Sequence, residues 1–558
     1  MGIVLRPHQL KAVSEIELAW SQGHRNILDV LPTGAGKTIL KAEIAKRELA
    51  KGGMVVIFAH RDVLLEQISK ALCLMGLGHS LMVSSTTRKN IGDMQTVEFG
   101  KCFVNDVSRI IVASVDKFYR ADLTYLAKHV TLWELDEAHH LLDDSKWHRC
   151  IDPLVNARGL GVTATPLRAD KKGLGAEYDG LFHKLIVSAT MDELIRAGML
   201  SPYRVFTPPT KLDVSDLKVT KSGDYNNKKL AAKTDKSEIT GDAVTHYQRI
   251  ANGKQAICFC VNIAHSDHVA EQFRQAGIKA VSVSSETPAA QRNKLINDFK
   301  AGLIEILVNC DLFGEGFDVP AVEVVIMLRK TASYSLFKQQ FGRALRVFEG
   351  KHYGILIDHV GNVEHFSHEY SLDYPHEDPV WTLEPPRKKK RGQLGEVVDK
   401  PRSTVCRKCA QRFIPTASNQ YACTYCGHVP TPAEEEDELK KFRAKEADLV
   451  ELKIDVLQDL LRRRDEVDQD VITFQNKVRK LPTIARNSAV ANHKNRQNAQ
   501  IILRDEIQKW CTKVWQVTGQ SPQTIQDEFE IKFGVNILKA QSLSANDARE
   551  LTIKVRSS

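Results

Sequence analysis

The stretch Leu31 to Thr38, LPTGAGKT, constrains this chain more than any other. It follows the apolar run Ile27 to Leu31, with Asp29 inside it, and leads into a helix-compatible segment from Ile39. A strand that delivers the chain, small residues that turn it, and a helix that opens with free N–H groups together make a phosphate cradle. Thr33, Gly34, Ala35 and Gly36 would line it, the glycines letting the backbone approach phosphate oxygens and Lys37 neutralising them. Thr38 would offer its hydroxyl to Mg2+. Leu31 stands where the general GxxxxGK[ST] pattern has its first glycine, so taken alone this stretch also fits a glycine-rich turn in another α/β domain.

At 558 residues the chain has room for roughly three or four domains, and 42% hydrophobic with 26% charged residues fits a globular protein in water. No apolar run is long enough to cross a bilayer, and the opening MGIVLRPHQL has no apolar signal core. The net charge of +9 favours an anionic partner such as nucleic acid, though only weakly. Of the eleven cysteines, seven are scattered and four fall in two tight pairs. Without an export signal, that pattern reads as a reducing compartment with one metal site.

Near the N-terminus, Gln9 precedes a helical apolar stripe and could read an adenine edge, or simply be a polar residue at a helix start. Met54 to Ala59 reads as a buried strand with His60 and Arg61 at its carboxyl end, and a second apolar run, Arg109 to Val115 with Ser114 in it, is followed by Asp116 and Lys117. Both places would face ligand in a parallel α/β sheet and could touch a nucleic-acid backbone, or be ordinary polar strand ends. Leu132 to His140, LWELDEAHH, brings two adjacent carboxylates out of a strand. Asp136 would hold Mg2+, Glu137 would orient or deprotonate an attacking water, and His139 would couple the site to its neighbours. GVTATP then offers Thr163 and Thr165, two hydroxyls that can exchange hydrogen bonds at another strand end.

Pro208-Pro209 and the lysine-rich stretch to about Thr240 mark a junction, after which strands at Ala256 to Val261 and Ala280 to Val283 and a helix between them predict a second α/β unit. Cys258 and Cys260 alternate along the first of these strands and read as buried. In DLFGEGFDVP, Gly316 would allow close backbone approach and Asp318 would contact ribose or the nucleotide network. Gln339 to Arg346, QQFGRALR, predicts a helix placing Arg343 and Arg346 on related sides, where guanidinium groups can stabilise charge on a transferring phosphoryl group.

Taken in order from about Leu5 to Val363, these residues resemble a superfamily 2 DEAD/DEAH-box helicase. The segment Asp358 to Val363 is most similar to the bacterial and bacteriophage type related to restriction-enzyme motor subunits. The resemblance implies an α/β fold of two tandem RecA-like P-loop NTPase lobes with parallel sheets, hydrolysing ATP between them. Gln9, the phosphate loop, Asp136 and, from the second lobe, Gly316, Asp318, Gln339, Arg343 and Arg346 would bind ATP with Mg2+. Lys37, Asp136, Glu137, Arg343 and Arg346 would be catalytic, His139, Thr163 and Thr165 coupling, and His60, Arg61 and Ser114 in contact with nucleic acid. It also implies 3′ to 5′ travel, DNA over RNA, and a cytoplasmic setting in a bacterial cell or phage-infected host.

In the accessory half, Arg387 to Arg391 reads as a basic tether. Cys406-x2-Cys409 and Cys423-x2-Cys426, thirteen residues apart, furnish four thiolates for tetrahedral Zn2+ and predict a zinc ribbon. The expected division is residues 1–205 and 206–383 for the two lobes, 384–402 for a linker, 403–430 for the ribbon and 431–481 for a helical hairpin or long helix. An Asn-rich linker at 482–500 and a small helical domain at 501–558 complete it. The expected function is an ATP-dependent DNA helicase or translocase acting on duplex, forked or branched DNA in replication, recombination or repair. The alternatives are an RNA helicase, a remodeller without strand separation, or a restriction-complex motor.

Overall fold

The structure, a computed structural model, describes residues 3–140, 146–208, 237–310, 321–348, 350–370, 372–385, 483–518, 522–535 and 543–558, with short stretches between them. The first sheet contains β1 (Asn26–Val30), β2 (Val55–Ala59), β3 (Ser80–Met82), β4 (Ile110–Ser114), β5 (Leu132–Asp136), β6 (Arg158–Thr163) and β7 (Lys184–Val187). Its order is β3-β4-β2-β5-β6-β1-β7 and every pairing is parallel. Parallel strands need crossover helices that cover both faces, so central strands read as unbroken apolar runs. The run Val55 to Ala59 is 0% exposed throughout. Close helix and strand packing also needs small residues: Gly159 pairs in register with Trp133, and any side chain there would run into the indole.

The second sheet repeats the plan with β8 (Tyr203–Thr207), β9 (Ala256–Phe259), β10 (Ala280–Val283), β11 (Ile306–Asn309), β12 (Val324–Met327) and β13 (Gly354–Asp358). After the short pair β14 (Thr404–Val405) and β15 (Arg412–Phe413), the chain returns to it through β16 (Val450–Leu452). The order is β10-β11-β9-β12-β13-β8-β16, parallel except for the antiparallel β16 on β8. These are two mostly parallel lobes consistent with tandem RecA-like folds. The boundary expected at residue 205 falls inside β8, which belongs to the second sheet. Cys258 and Cys260 are buried, as their alternation suggests.

Two expectations need correction. The stretch 431–481 is not helical throughout: Val450–Leu452 is a strand that covers the edge of β8, and Glu451 reaches the Arg204 guanidinium at 2.6 Å. Nor is the Asn-rich stretch a loop, since Thr483–Thr518 is one continuous helix. Its polar residues serve tertiary contacts. Gln500 Nε2 donates to Ala540 O and Leu543 O, and Arg496 Nε also donates to Leu543 O. With the helices Pro522–Phe533 and Ala545–Arg556 it encloses a separate apolar core of Leu503, Ile507, Trp510, Phe529 and Leu551.

Candidate nucleotide site between the lobes

The phosphate loop leaves β1 at Val30, and the helix Lys37–Ala50 begins immediately after it. Gly34 and Gly36 have φ of 88° and 82°, the left-handed region that L side chains avoid. Thr38 follows Lys37 in the first helical turn. Gln9 lies on the loop rim, where Nε2 donates to Gly36 O at 3.1 Å and to Ala35 O at 3.4 Å, while Oε1 accepts from Arg6 N at 2.9 Å. Beneath the loop, Asp29 is 0% exposed, and Ser188 Oγ donates to its Oδ1 at 2.6 Å. Burial pushes this carboxyl up to about 7 despite that hydrogen bond.

Asp136 and Glu137 emerge at the end of β5 beside the same helix. Lys37 Nζ lies 3.6 Å from Glu137 Oε1, and Lys41 Nζ lies 2.7 Å from Asp136 Oδ2. Lys41 is a site residue that reading the motif missed. Its signal was the spacing of four from Lys37, which puts both on one helix face. Glu137 has φ of 50°, a strained value for a residue with a side chain. His139 Nδ1 is 2.9 Å from Thr163 Oγ1 and 3.5 Å from Glu137 Oε2. Thr163 Oγ1 donates to Thr165 O and accepts from Thr165 N, and Thr165 Oγ1 donates to Ser335 Oγ of the second lobe at 2.6 Å. No local pattern marks Ser335, whose place is set by how the lobes meet.

Ser335 lies in the first turn of the helix Tyr334–Arg343, on which Gln339 and Arg343 are buried. The last turn of this helix faces the phosphate loop: a Cβ on Gly342 would lie 2.8 Å from Thr33 Cβ, and one on Gly34 would lie 3.7 Å from Arg346 Cγ. Arg346 is not on the helix as expected but follows the turn after it, because the carbonyls there have other donors. The Lys351 ammonium donates to Ala344 O, Arg346 O and Val322 O at 2.7 to 2.8 Å. Ser201 N and Oγ donate to Leu345 O and Arg346 O. Burial pushes the Lys351 ammonium down to about 7, with the Glu323 carboxylate opposing the shift.

His60 and Arg61 follow β2, and Ala59 pairs in register with Ser114, so all three lie at one carboxyl edge of the first sheet. The Ser114 hydroxyl accepts from Lys117 N at 3.3 Å and caps the turn Val115–Phe118. Gly316, Asp318 and the four paired cysteines Cys406, Cys409, Cys423 and Cys426 lie outside the described residues.

Residues 2–168 match the family described as type III restriction enzyme, res subunit, and residues 236–348 match the helicase conserved C-terminal domain. The 51.5 kDa protein of Lactococcus phage (isolate 7-9) is 32% identical over 426 residues, covering 76% of this chain and 83% of that one. The chain belongs to the superfamily 2 helicases. This helicase is 28% identical over 378 residues to IRC3 of Saccharomyces cerevisiae, covering 64% of its own length and 52% of that of IRC3. It is 23% identical over 396 residues to the type I restriction enzyme EcoAI endonuclease subunit of Escherichia coli, covering 65% and 47%. It spans about half the length of those two relatives. It is an ATP-hydrolysing motor of the helicase or translocase class, related to restriction-enzyme motor subunits.

Proposed function

We propose that this helicase converts ATP hydrolysis between its lobes into movement along DNA, with strand separation or branch remodelling in replication, recombination or repair as the outcome. The observation that carries this reading is the approach of Gly342 and Arg346 of the second lobe to Thr33 and Gly34 of the phosphate loop. A phosphate held there touches both lobes, so its cleavage alters how they meet.

In this reading the loop N–H groups and Lys37 hold the phosphates, Glu137 orients or deprotonates the attacking water, and Arg343 and Arg346 stabilise charge on the transferring group. Thr38 and Asp136 are hard oxygen donors on adjoining elements and suit Mg2+, which when bound supplies charge neutralisation at the phosphate oxygens. Lys41 pairs with the Asp136 carboxylate beside them at 2.7 Å. Gln9 and Gln339 would contact the nucleotide from either lobe, and Gly316 and Asp318, outside the described residues, are the further contacts expected from the second lobe. His139, Thr163 and Thr165 pass the change to Ser335. His60, Arg61 and Ser114 sit where a strand would cross the first lobe, and DNA is favoured over RNA by the kinship with restriction-enzyme subunits.

The four paired cysteines would hold Zn2+ in a small structural module. The antiparallel pair of β14 and β15, with Val405 opposite Arg412, ties together the two ends of the segment that carries Cys406 and Cys409. Elemental analysis should find one zinc per chain, falling in Cys409→Ser with ATP turnover retained. Among the described residues no helix is long and apolar enough to cross a membrane.

The test is ATP turnover coupled to displacement of a labelled strand, comparing forked DNA, tails of both polarities and duplex RNA. Lys37→Ala and Glu137→Gln should each lower turnover by about a hundred-fold or more, the first by weakening ATP binding and the second while ATP still binds. Normal turnover in both variants would overturn the assigned site, and greater stimulation by RNA would overturn the choice of DNA.

A further inference from the structure

The ring of His140 has no part in the site as described, yet it lies between two groups that do. Its centroid is 4.3 Å from that of His139 and 4.6 Å from that of His60, at 38° and 65° between planes. His60 in turn sits 6.1 Å from Trp147, edge to face. The sheet order explains the meeting, because β2 and β5 are neighbours and their carboxyl ends deliver His60 and the 3-10 turn Ala138–His140 side by side. The main chain makes the second link. His140 N donates to Glu137 O at 3.0 Å, closing a turn whose first residue is Glu137 at φ 50°. A residue held in a sparsely populated conformation keeps it only while its surroundings impose it. Displacing the His140 ring therefore acts on the Glu137 backbone directly, and through His139 on the hydrogen bond to Thr163.

We propose that His140 is a positioning residue that joins the DNA track to the hydrolytic site: a strand seated against His60 moves or fixes the His140 ring, and the turn it closes sets the Glu137 carboxylate. The inference rests on the reading of His60 as a strand contact. What the joint needs is a flat ring filling the space between His60 and His139. Phenylalanine keeps a flat ring at this position and alanine removes it, so phenylalanine should replace histidine and alanine should not.

The test measures ATP turnover with and without single-stranded DNA in wild type, His140→Ala and His140→Phe, together with DNA affinity by fluorescence anisotropy. The expected result is that DNA stimulation, taken as the ratio of the two rates, falls at least about five-fold in His140→Ala while DNA affinity stays within about two-fold. His140→Phe should restore most of the ratio. Undiminished stimulation in His140→Ala overturns the joint, as does loss of stimulation in both variants or a fall that merely follows weakened DNA binding. A wild type that no polynucleotide stimulates overturns the functional reading and the joint with it. A stimulated wild type with a stimulated alanine variant overturns the joint alone.

Discussion

A charged carboxylate directly beneath a phosphate loop would repel the ligand the loop is built to hold, and Asp29 avoids this by being buried with its acidity suppressed. Its folded value of about 7 lies above the ordinary 3.8, so the neutral form is what the fold stabilises. That contribution is complete below about 4 and is lost as pH rises through 7. Asp29→Asn has no such dependence. Its stability relative to wild type should improve between pH 5 and pH 8 by about 2–3 kcal/mol, the energy of two pKa units, in denaturant unfolding at the two pH values. A gap that does not change with pH would show that Asp29 is ionised in the fold. At this scale the sequence was legible where function is written in contiguous residues: Lys37, Asp136, Glu137, Thr163 and Thr165 all meet at one cleft. Lys41 and Ser335 were not, because each acquires its partner from an element distant in sequence, and Lys351 was not, because its partners are main-chain carbonyls that no side-chain pattern marks.

Elements were legible wherever their period matched their burial on both faces, as in β2 and β9, which are apolar from end to end. The reading failed where side chains serve long-range contacts. Asn, Gln and Arg in Thr483–Thr518 suggest a loop by composition, yet Arg496 and Gln500 bind the carbonyls of Ala540 and Leu543 and hold the helix in place. The end of the helix Tyr334–Arg343 shows the same effect, for the turn that carries Arg346 is fixed by one ammonium from Lys351. Lys351→Met leaves those carbonyls without that donor and frees the Arg346 segment to move away from the phosphate loop. The expected result in steady-state kinetics is a kcat lowered about ten-fold or more with KM for ATP within about three-fold, because the loss falls on the transition state. An unchanged kcat would mean that Ser201 alone suffices to hold the segment.

On the scale of the whole molecule, the two lobes are not independent beads. One apolar cluster runs from Ile27 and Val162 through Met191, Leu194 and Leu200 to Tyr203, Phe337 and Phe341. The segment after the second lobe also crosses back: Lys338 Nζ donates to Pro375 O and Glu377 O, and Leu383 O then accepts from Leu174 N and Gly175 N of the first lobe. Within the second lobe a further tie comes from β16, whose three residues cover β8 long after the lobe has otherwise ended. This tie changes where the motor can be cut. Ending the chain after residue 482 removes the separate helical core and leaves both sheets whole, so ATP turnover should stay within about two-fold of the full chain. Ending it after Val429 also strips β16 and the Glu451 partner of Arg204, leaving the N–H and C=O groups of β8 as an open edge. That shorter chain should melt at least about 3 °C lower than the longer one and aggregate on heating, as read by calorimetry and light scattering. Equal melting temperatures for the two truncations would show that β8 tolerates an open edge and that the second lobe ends before the cysteine module.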